Sequence, residues 1–352
     1  MTRGTGAGQL GRELLGFGPH AGAHRVAARA GVSVLVPLLV LLAAGRLEWS
    51  IYATFGAFTA LYGRERVGPL RVRLQTEVGV LLTAVVAVGT LVGSSEHRAW
   101  VAVPTAALLT IGAAVLSDRQ HWHPPGALFP VFALTACASI PGEPSDALVA
   151  LLVAGCSAAF SLLVGNLGAW LRRRRATYAA ADRPSGAPGA RAASPTTGLW
   201  RHVLPSGVAV LLAGSVATGV GIGHPYWAMV SAVVPLAAAD PLRQLVRGLH
   251  RLLGTGVGLA LAGALLALDL GPLATVLAVV ALQVAAELLV GRNYALALVV
   301  ITPLALLMVH LVSPVPTSEL LVDRGTETLV GVVIGLAVGW LARRVGSARA
   351  AG

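Results

Sequence analysis

Apolar residues run through this chain in long blocks, separated by short clusters of arginine, glycine and proline. The stretches Val32–Ala44, Val78–Val92, Ala147–Val164 and Leu273–Ala286 hold no charged residue. Several approach the ~20 residues that carry a helix across a hydrocarbon core. Reading helices between charges and breakers predicts twelve segments. The first six are Val26–Ala44, Trp49–Tyr62, Leu74–Val92, Ala99–Leu116, Gly126–Ile140 and Ala147–Leu171. The second six are His202–Ile222, Tyr226–Ala239, Leu252–Leu268, Pro272–Val290, Tyr294–Leu311 and Thr326–Leu341. Trp49–Tyr62, Gly126–Ile140 and Tyr226–Ala239 are short for full crossings, so they are expected to be broken helices, to borrow neighbouring residues or to thin the bilayer. Pro37, Pro104, Pro130, Pro235 and Pro303 fall inside segments, where neighbouring helices can satisfy the backbone groups they free.

Composition turns this pattern into a fold class. Of 352 residues, 56% are hydrophobic and only 12% charged, against about 25% in a soluble domain. That leaves too little polar surface to cover a water-soluble globule. The expected architecture is an all-α polytopic bundle of about twelve transmembrane helices, arranged as two parallel six-helix repeats. The first stretch, Met1–Ala28, is Gly- and Arg-rich rather than the apolar core of a signal peptide.

The net charge of +11 comes wholly from arginine. In a soluble protein such a balance would point to nucleic acid. Here placement explains it: with both ends cytoplasmic, only Arg46, Arg98 and Arg324 of the 26 basic residues fall in outside loops. One missed segment would destroy that separation. The expected setting is the plasma membrane, with lipid as partner and no nucleic acid.

The division along the chain follows. Residues 1–25 form a cytoplasmic tail, 26–171 a first membrane repeat, 172–200 a linker, 201–344 a second repeat and 345–352 a short tail. The linker is rich in Arg, Ala, Pro, Ser and Gly and cannot bury a core. Its Arg172–Arg175 run suits anionic headgroups. Three matches in the same order support the repeat. Trp49-Ser-Ile-Tyr52-Ala53 answers Pro225-Tyr226-Trp227-Ala228; Arg73-Leu-Gln-Thr-Glu-Val-Gly79 answers Arg251-Leu-Leu-Gly-Thr-Gly-Val257; and Trp170-Leu-Arg-Arg173 answers Trp340-Leu-Ala-Arg343.

Enzyme chemistry finds no support. Gly6-Ala-Gly8-Gln-Leu-Gly11 matches a dinucleotide fingerprint but lacks the strand and βαβ unit such a loop needs. Walker A, H-E-x-x-H and G-x-S-x-G patterns do not occur. His121-Trp-His123 lacks a third ligand and reads as an interfacial loop with an aromatic anchor. Cys137 and Cys156 lie in apolar segments and read as buried structural thiols. No cofactor and no metal are expected.

One constellation in the second half is informative. His224-Pro-Tyr-Trp-Ala228, then Asp240-Pro241, then Arg247-Gly-Leu-His-Arg251 and Gly254-Thr255-x-x-Gly258 follow in order. This stretch resembles the fusaric-acid-resistance-like superfamily, which includes bacterial aromatic-acid exporters and plant aluminium-activated malate channels. Its members show an aromatic pair opening a short span, then Arg-x-x-G-T-x-x-G opening the next. Arg292-Asn-Tyr294 also fits. The resemblance covers about Trp200–Arg344; the first half is more degenerate, with Thr76-Glu77 where the motif has Gly-Thr. Many bacterial relatives carry a soluble domain between halves, where this chain has only the linker. The resemblance implies a transporter that exports small organic anions of the aromatic carboxylate type.

The candidate path residues follow from physics. Arg247 and Arg251 are four apart and share a helix face near the inner boundary, where arginines facing a bundle interior favour anions; the competing role is snorkelling to the interface. Thr255 lies one turn beyond Arg251, and Gly254, Gly256 and Gly258 would let a neighbouring helix approach. Glu77 and Glu287 are the carboxylates inside apolar segments, with Gln283 on the face of Glu287. They could relay protons, or pair with a loop arginine such as Arg73 or Arg292. Tyr52, Tyr226 and Trp227 open short segments near the outer surface, as belt anchors or as substrate-stacking groups. The alternatives to an exporter are an anion channel and a non-transporting scaffold for envelope assembly. The sequence sets no oligomeric state.

Overall fold

The computed structural model describes residues 6–19, 22–64, 66, 68–176, 203–238, 240–312 and 315–351. The linker beyond residue 176, with Arg183, Arg191 and Arg201, lies outside the described residues. Among those described there are thirteen α-helices and no strand. A short helix, α1 (Gly6–Leu15), precedes the first half: α2 (Ala23–Ala43), α3 (Ser50–Ala57, continued by a 3-10 turn to Leu61), α4 (Pro69–Gly93), α5 (Arg98–Gln120), α6 (Leu128–Ser139) and α7 (Asp146–Ala176). The second half is α8 (Leu204–Val220), α9 (Tyr226–Leu236), α10 (Pro241–Ala267), α11 (Pro272–Leu289), α12 (Tyr294–Val312) and α13 (Thr317–Ala351). All twelve predicted segments are helical.

Eight helices are long and apolar enough to cross a membrane: α2, α4, α5, α7, α10, α11, α12 and α13. The helices α3, α6 and α9 are shorter, as the sequence pattern indicated, and α8 has 17 residues. Proline opens α4, α10 and α11, where its missing N–H costs no hydrogen bond. Asp240 caps α10, its Oδ1 accepting from the Arg243 amide at 2.9 Å. Gly221, at φ 78°, ends α8 in the left-handed region.

The same helix pairings occur in both halves. In the first, α4 packs on α6 and α7, α3 on α2 and α7, and α5 on α6. In the second, α10 packs on α12 and α13, α9 on α8 and α13, and α11 on α12. The halves meet reciprocally, through α2 on α11 and α5 on α8 at the flanks, and α6 on α9 and α3 on α12 between them. Each flank needs a glycine. A Cβ on Gly31 of α2 would lie 2.6 Å from Val284, and one on Gly207 of α8 would lie 2.6 Å from Ile111.

The interior is rich in alanine and hydroxyl residues among its valines, leucines and aromatics, and the small residues let helix backbones come close where lipid supplies no hydrophobic drive for association. Several buried hydroxyls bond within their own helix: Thr90 donates to Val86 O at 3.0 Å, Thr110 to Ala106 O at 2.6 Å and Thr328 to Arg324 O at 2.7 Å. Large side chains such as Val80, Leu108, Leu163 and Val257 point outward and are exposed. In a membrane that surface faces lipid. Cys137 is buried, but Cys156 is exposed on α7, so the expectation of two buried thiols fails for one: α7 turns that face away from the bundle.

Candidate functional site

The helix α10 carries a buried stripe of Gln244, Gly248, Arg251, Thr255, Gly258 and Ala262, spaced three and four apart. Such a stripe is one seam of a packed helix. It explains both halves of the motif. The glycines admit α12: a Cβ on Gly258 would lie 2.7 Å from Thr302 Cβ and 2.9 Å from the Leu298 carbonyl. Arg251, on the same seam, is carried to the interior and is only 4% exposed. Gly256 is off the seam and faces no neighbour, contrary to its expected packing role.

Arg251 opens onto a cavity of about 470 Å³ between the two halves. Phe58, Leu61, Arg64, Phe129 and Phe132 line it from the first half; Arg247, Arg251, Gln283, Glu287, Tyr294 and Arg324 line it from the second. Four arginines thus face one carboxylate. Glu287 is taken by Arg64, with Oε2 3.6 Å from Arg64 Nη2, and its Oε1 accepts from Gln283 at 3.5 Å. Of the two expected pairings, Glu287 meets Arg64 rather than Arg292, while Glu77 meets Arg73. Arg292 instead lies over the Phe17 ring at 4.2 Å.

The other three arginines have no carboxylate at ion-pair distance among the described residues. Arg251 donates to neutral oxygens only: Nε and Nη2 to Ser231 Oγ at 3.3 and 3.2 Å, and Nη1 to Tyr294 Oη at 3.4 Å. Arg247 sits 6.0 Å from the centre of the Tyr294 ring. Arg324 is 2% exposed, lies 4.7 Å from the centre of the Trp227 ring, and its Nε has no hydrogen-bond partner. Burying a cation without a counter-charge costs several kcal/mol (about that order for one ion). A site built this way favours an anion.

Several expectations change. Arg324 is not an outside loop residue; α13 begins at Thr317, so Arg324 lies two turns inside it. Tyr226 and Trp227 are not belt anchors, because α9 packs between α6, α8, α10 and α13 and buries both completely. Arg73 and Glu77 are away from the cavity, paired with each other at 2.8 Å on an open face of α4. Thr255 is buried on the α10 seam, its hydroxyl unpartnered, and is not part of the cavity wall. Trp122 of the His121-Trp-His123 loop is buried against Tyr62, at 5.6 Å between ring centres, while His123 reaches the cavity. Arg247, Arg251, Gln283 and Glu287 line one cavity. Arg64, Arg324 and the phenylalanines were missed.

A second cavity of about 290 Å³ lies at the opposite end of α5, lined by Arg98, Thr135, Ser139, Thr218 and Tyr226 among others. Phe132 lines the first cavity and Tyr226 the second, and their rings stack at 6.3 Å and 20°. This pair separates the two spaces. At the other end, residues Leu14–Gly18 dock by the wide cavity's mouth: Asn293 donates to Leu14 O and Gly16 O at 3.2 and 3.1 Å, and the Gly18 amide to Arg292 O at 2.8 Å.

Residues 209–338 match the family described as fusaric acid resistance protein-like. The matched stretch carries Arg247, Arg251, Gln283, Glu287, Tyr294 and Arg324. An uncharacterized membrane protein of Bacillus subtilis (strain 168), YvaC, is 32% identical over 136 residues, which are 38% of this chain and 22% of that protein. The chain thus spans about a fifth of the curated relative it matches. No solved structure matches it. The second half is similar to the fusaric acid resistance family its motif resembles, and the chain is a multi-pass membrane protein whose outer faces contact lipid.

Proposed function

We propose that this protein moves small organic anions, aromatic carboxylates among them, outward across the plasma membrane through the cavity between its halves. The observation that carries the reading is the set of buried arginines, Arg251 and Arg324 above all, facing that cavity with no carboxylate at ion-pair distance among the described residues. Phenylalanine rings from the first half form the opposite wall, which suits a ligand with a carboxylate at one end and an apolar body at the other. The fusaric acid resistance match over the charged half agrees with a transport role.

Two further elements belong to this reading. Both chain ends are assigned to the cytoplasm; with Arg324 buried in the bundle, Arg46 and Arg98 are the arginines left outside. The halves are read as two tandem copies around an axis along the membrane normal, which the reciprocal helix packing supports. A potential that is negative inside favours anion exit by ~2.3 kcal/mol per charge per 100 mV. The stacked Phe132–Tyr226 pair closes the wide cavity toward the second one. That favours a carrier or a gated path over an open channel.

The test is flux of radiolabelled benzoate from proteoliposomes, wild type beside Arg251→Gln. Flux lost in the variant at equal incorporation is expected. Equal flux in both removes Arg251 from the path. No flux above empty liposomes, across several organic anions and both polarities of potential, overturns transport in favour of a scaffold role.

A further inference from the structure

We propose that His224, Asp323 and Glu327 form a proton-binding site linked to anion occupancy beside Arg324. This rests on the anion reading above and adds a second ligand, the proton, to the same bundle. The helix α13 places Asp323, Arg324 and Glu327 within two turns, and the loop before α9 brings His224 against them. His224 Nδ1 lies 2.8 Å from Asp323 Oδ2, and the His224 amide donates to Glu327 Oε1 at 2.9 Å. Glu327 is fully buried and its Oε2 has no hydrogen-bond partner. A buried carboxylate oxygen left bare is costly unless a proton or a cation visits it. The imidazole ring stacks on Trp227 at 5.2 Å, and Trp227 in turn carries Arg324 over its ring. The cluster therefore adjoins the cavity through Arg324, which lines it.

The charged and titratable groups around Glu327 define its response. Asp323 and Arg324 flank it on α13, His224 faces it from the loop, Tyr226 from α9, and Arg251 and Tyr294 lie beyond Arg324 on α10 and α12. With the cavity empty, the field of Arg324, with Arg251 beyond it, partly offsets the two carboxylates, although neither guanidinium lies at ion-pair distance from them. An anion seated on those arginines takes up that positive charge and leaves the carboxylates in excess. One proton on Glu327 or on the His224–Asp323 pair restores the balance. Anion and proton then strengthen each other's binding reciprocally, as linkage requires, so affinity rises as pH falls.

The experiment is calorimetric titration of purified full-length protein with benzoate between about pH 5.5 and about pH 8.5, where the histidine range lies and benzoate stays ionised. Buffers of different ionisation enthalpy report protons taken up per benzoate bound. Wild type is expected to bind more tightly at low pH, by up to about tenfold per pH unit for one linked proton, with proton uptake. Glu327→Gln keeps an acceptor for the His224 amide and is expected to abolish both effects while still binding benzoate. Asp323→Asn serves as the second variant should the first fail to fold, and is expected to flatten the pH dependence. Affinity independent of pH in wild type, or a slope retained in the variants, overturns the proton site and leaves the anion reading standing. No benzoate binding at any pH overturns both.

Discussion

Replacing Arg251 with glutamine separates an arginine kept for ligand from one kept for structure. Arg251 is 4% exposed and hydrogen-bonded only to the hydroxyls of Ser231 and Tyr294. A carboxylate about 5 Å from its guanidinium gains roughly 3 kcal/mol at an effective dielectric of about 20. A charged hydrogen bond in such a place contributes about 1.5–3 kcal/mol net. Glutamine keeps a neutral donor, so the loss is set at about 2–3 kcal/mol, or about 30- to 150-fold in Kd. Stability should move the other way. Removing a buried charge that has no carboxylate at ion-pair distance among the described residues relieves its desolvation cost, so the unliganded variant is expected to be as stable as wild type or about 1–2 kcal/mol more stable. Benzoate titration and thermal unfolding of the same samples in detergent measure the two quantities. Unchanged benzoate affinity together with a lowered Tm would refute the reasoning, because it would make Arg251 a structural strut.

Three other outcomes are expected. Gly258→Ala puts a methyl against Thr302 and Leu298 and should destabilise the α10–α12 contact by about 1–3 kcal/mol, whereas Gly256→Ala, facing open space, should be neutral or slightly stabilising; thermal unfolding of the pair checks both, and equal losses would count against the seam. Glu287→Gln removes the cavity's carboxylate and frees Arg64, so benzoate should bind about fifteenfold more tightly, the effect of one charge ~10 Å away at a dielectric of about 20; weaker binding would place Glu287 on the ligand side. Phe132→Ala removes one ring of the stack between the two cavities and should raise benzoate flux through proteoliposomes; unchanged flux with intact folding would mean that the pair does not limit passage.

Long apolar blocks made the helices legible because hydrocarbon demands them whatever the tertiary packing. The short segments were legible too, since length is read directly from the spacing of breakers. Arg247, Arg251, Gln283 and Glu287 were found because they interrupt apolar runs at helical spacing. Arg324 was lost for the opposite reason. It stands among Glu319, Asp323 and Glu327, and that density of charge reads as a loop until helical period is applied. Asp323, Arg324, Glu327 and Thr328 then share a face. Arg64 gave no local signal; it follows a broken helix, and only the packing of the first half on α11 shows that it reaches Glu287. Tyr226 and Trp227 looked interfacial because they open a helix, but α9 is too short to reach two surfaces and lies wholly inside the bundle.

The proposed repeat has a register that differs from the one the sequence matches indicate. Gln75 donates to the Tyr62 carbonyl at the end of the first short helix, and Gln244 to the Ala238 carbonyl at the end of its counterpart, each at 3.0 Å. Gly89 meets Leu134 and Cys137 of α6, as Gly258 meets Leu298 and Thr302 of α12. Arg251 lies midway between Gln244 and Gly258, and the residue midway between Gln75 and Gly89 is Leu82, not Arg73. Likewise Gly165 and Gly339 each lie against the glutamine of their own half, while Ser157 meets Ala53 as Gly331 meets Ala228. That register puts Ala150 in the place of Arg324 and Val153 in the place of Glu327. Arg251, Arg324 and Glu327 thus each have an apolar counterpart in the first half: Leu82 and Ala150 are as completely buried as the arginines they answer. A symmetric pair of arginine sets would place like charges across one narrow cavity, at a cost that grows as the dielectric falls. Confining the two most deeply buried arginines, Arg251 and Arg324, to one half limits that repulsion; the other half brings Arg64, paired with Glu287, and the phenylalanine wall. The similarity in helix packing with dissimilarity in charge is therefore what a path for a ligand with one anionic and one apolar end requires.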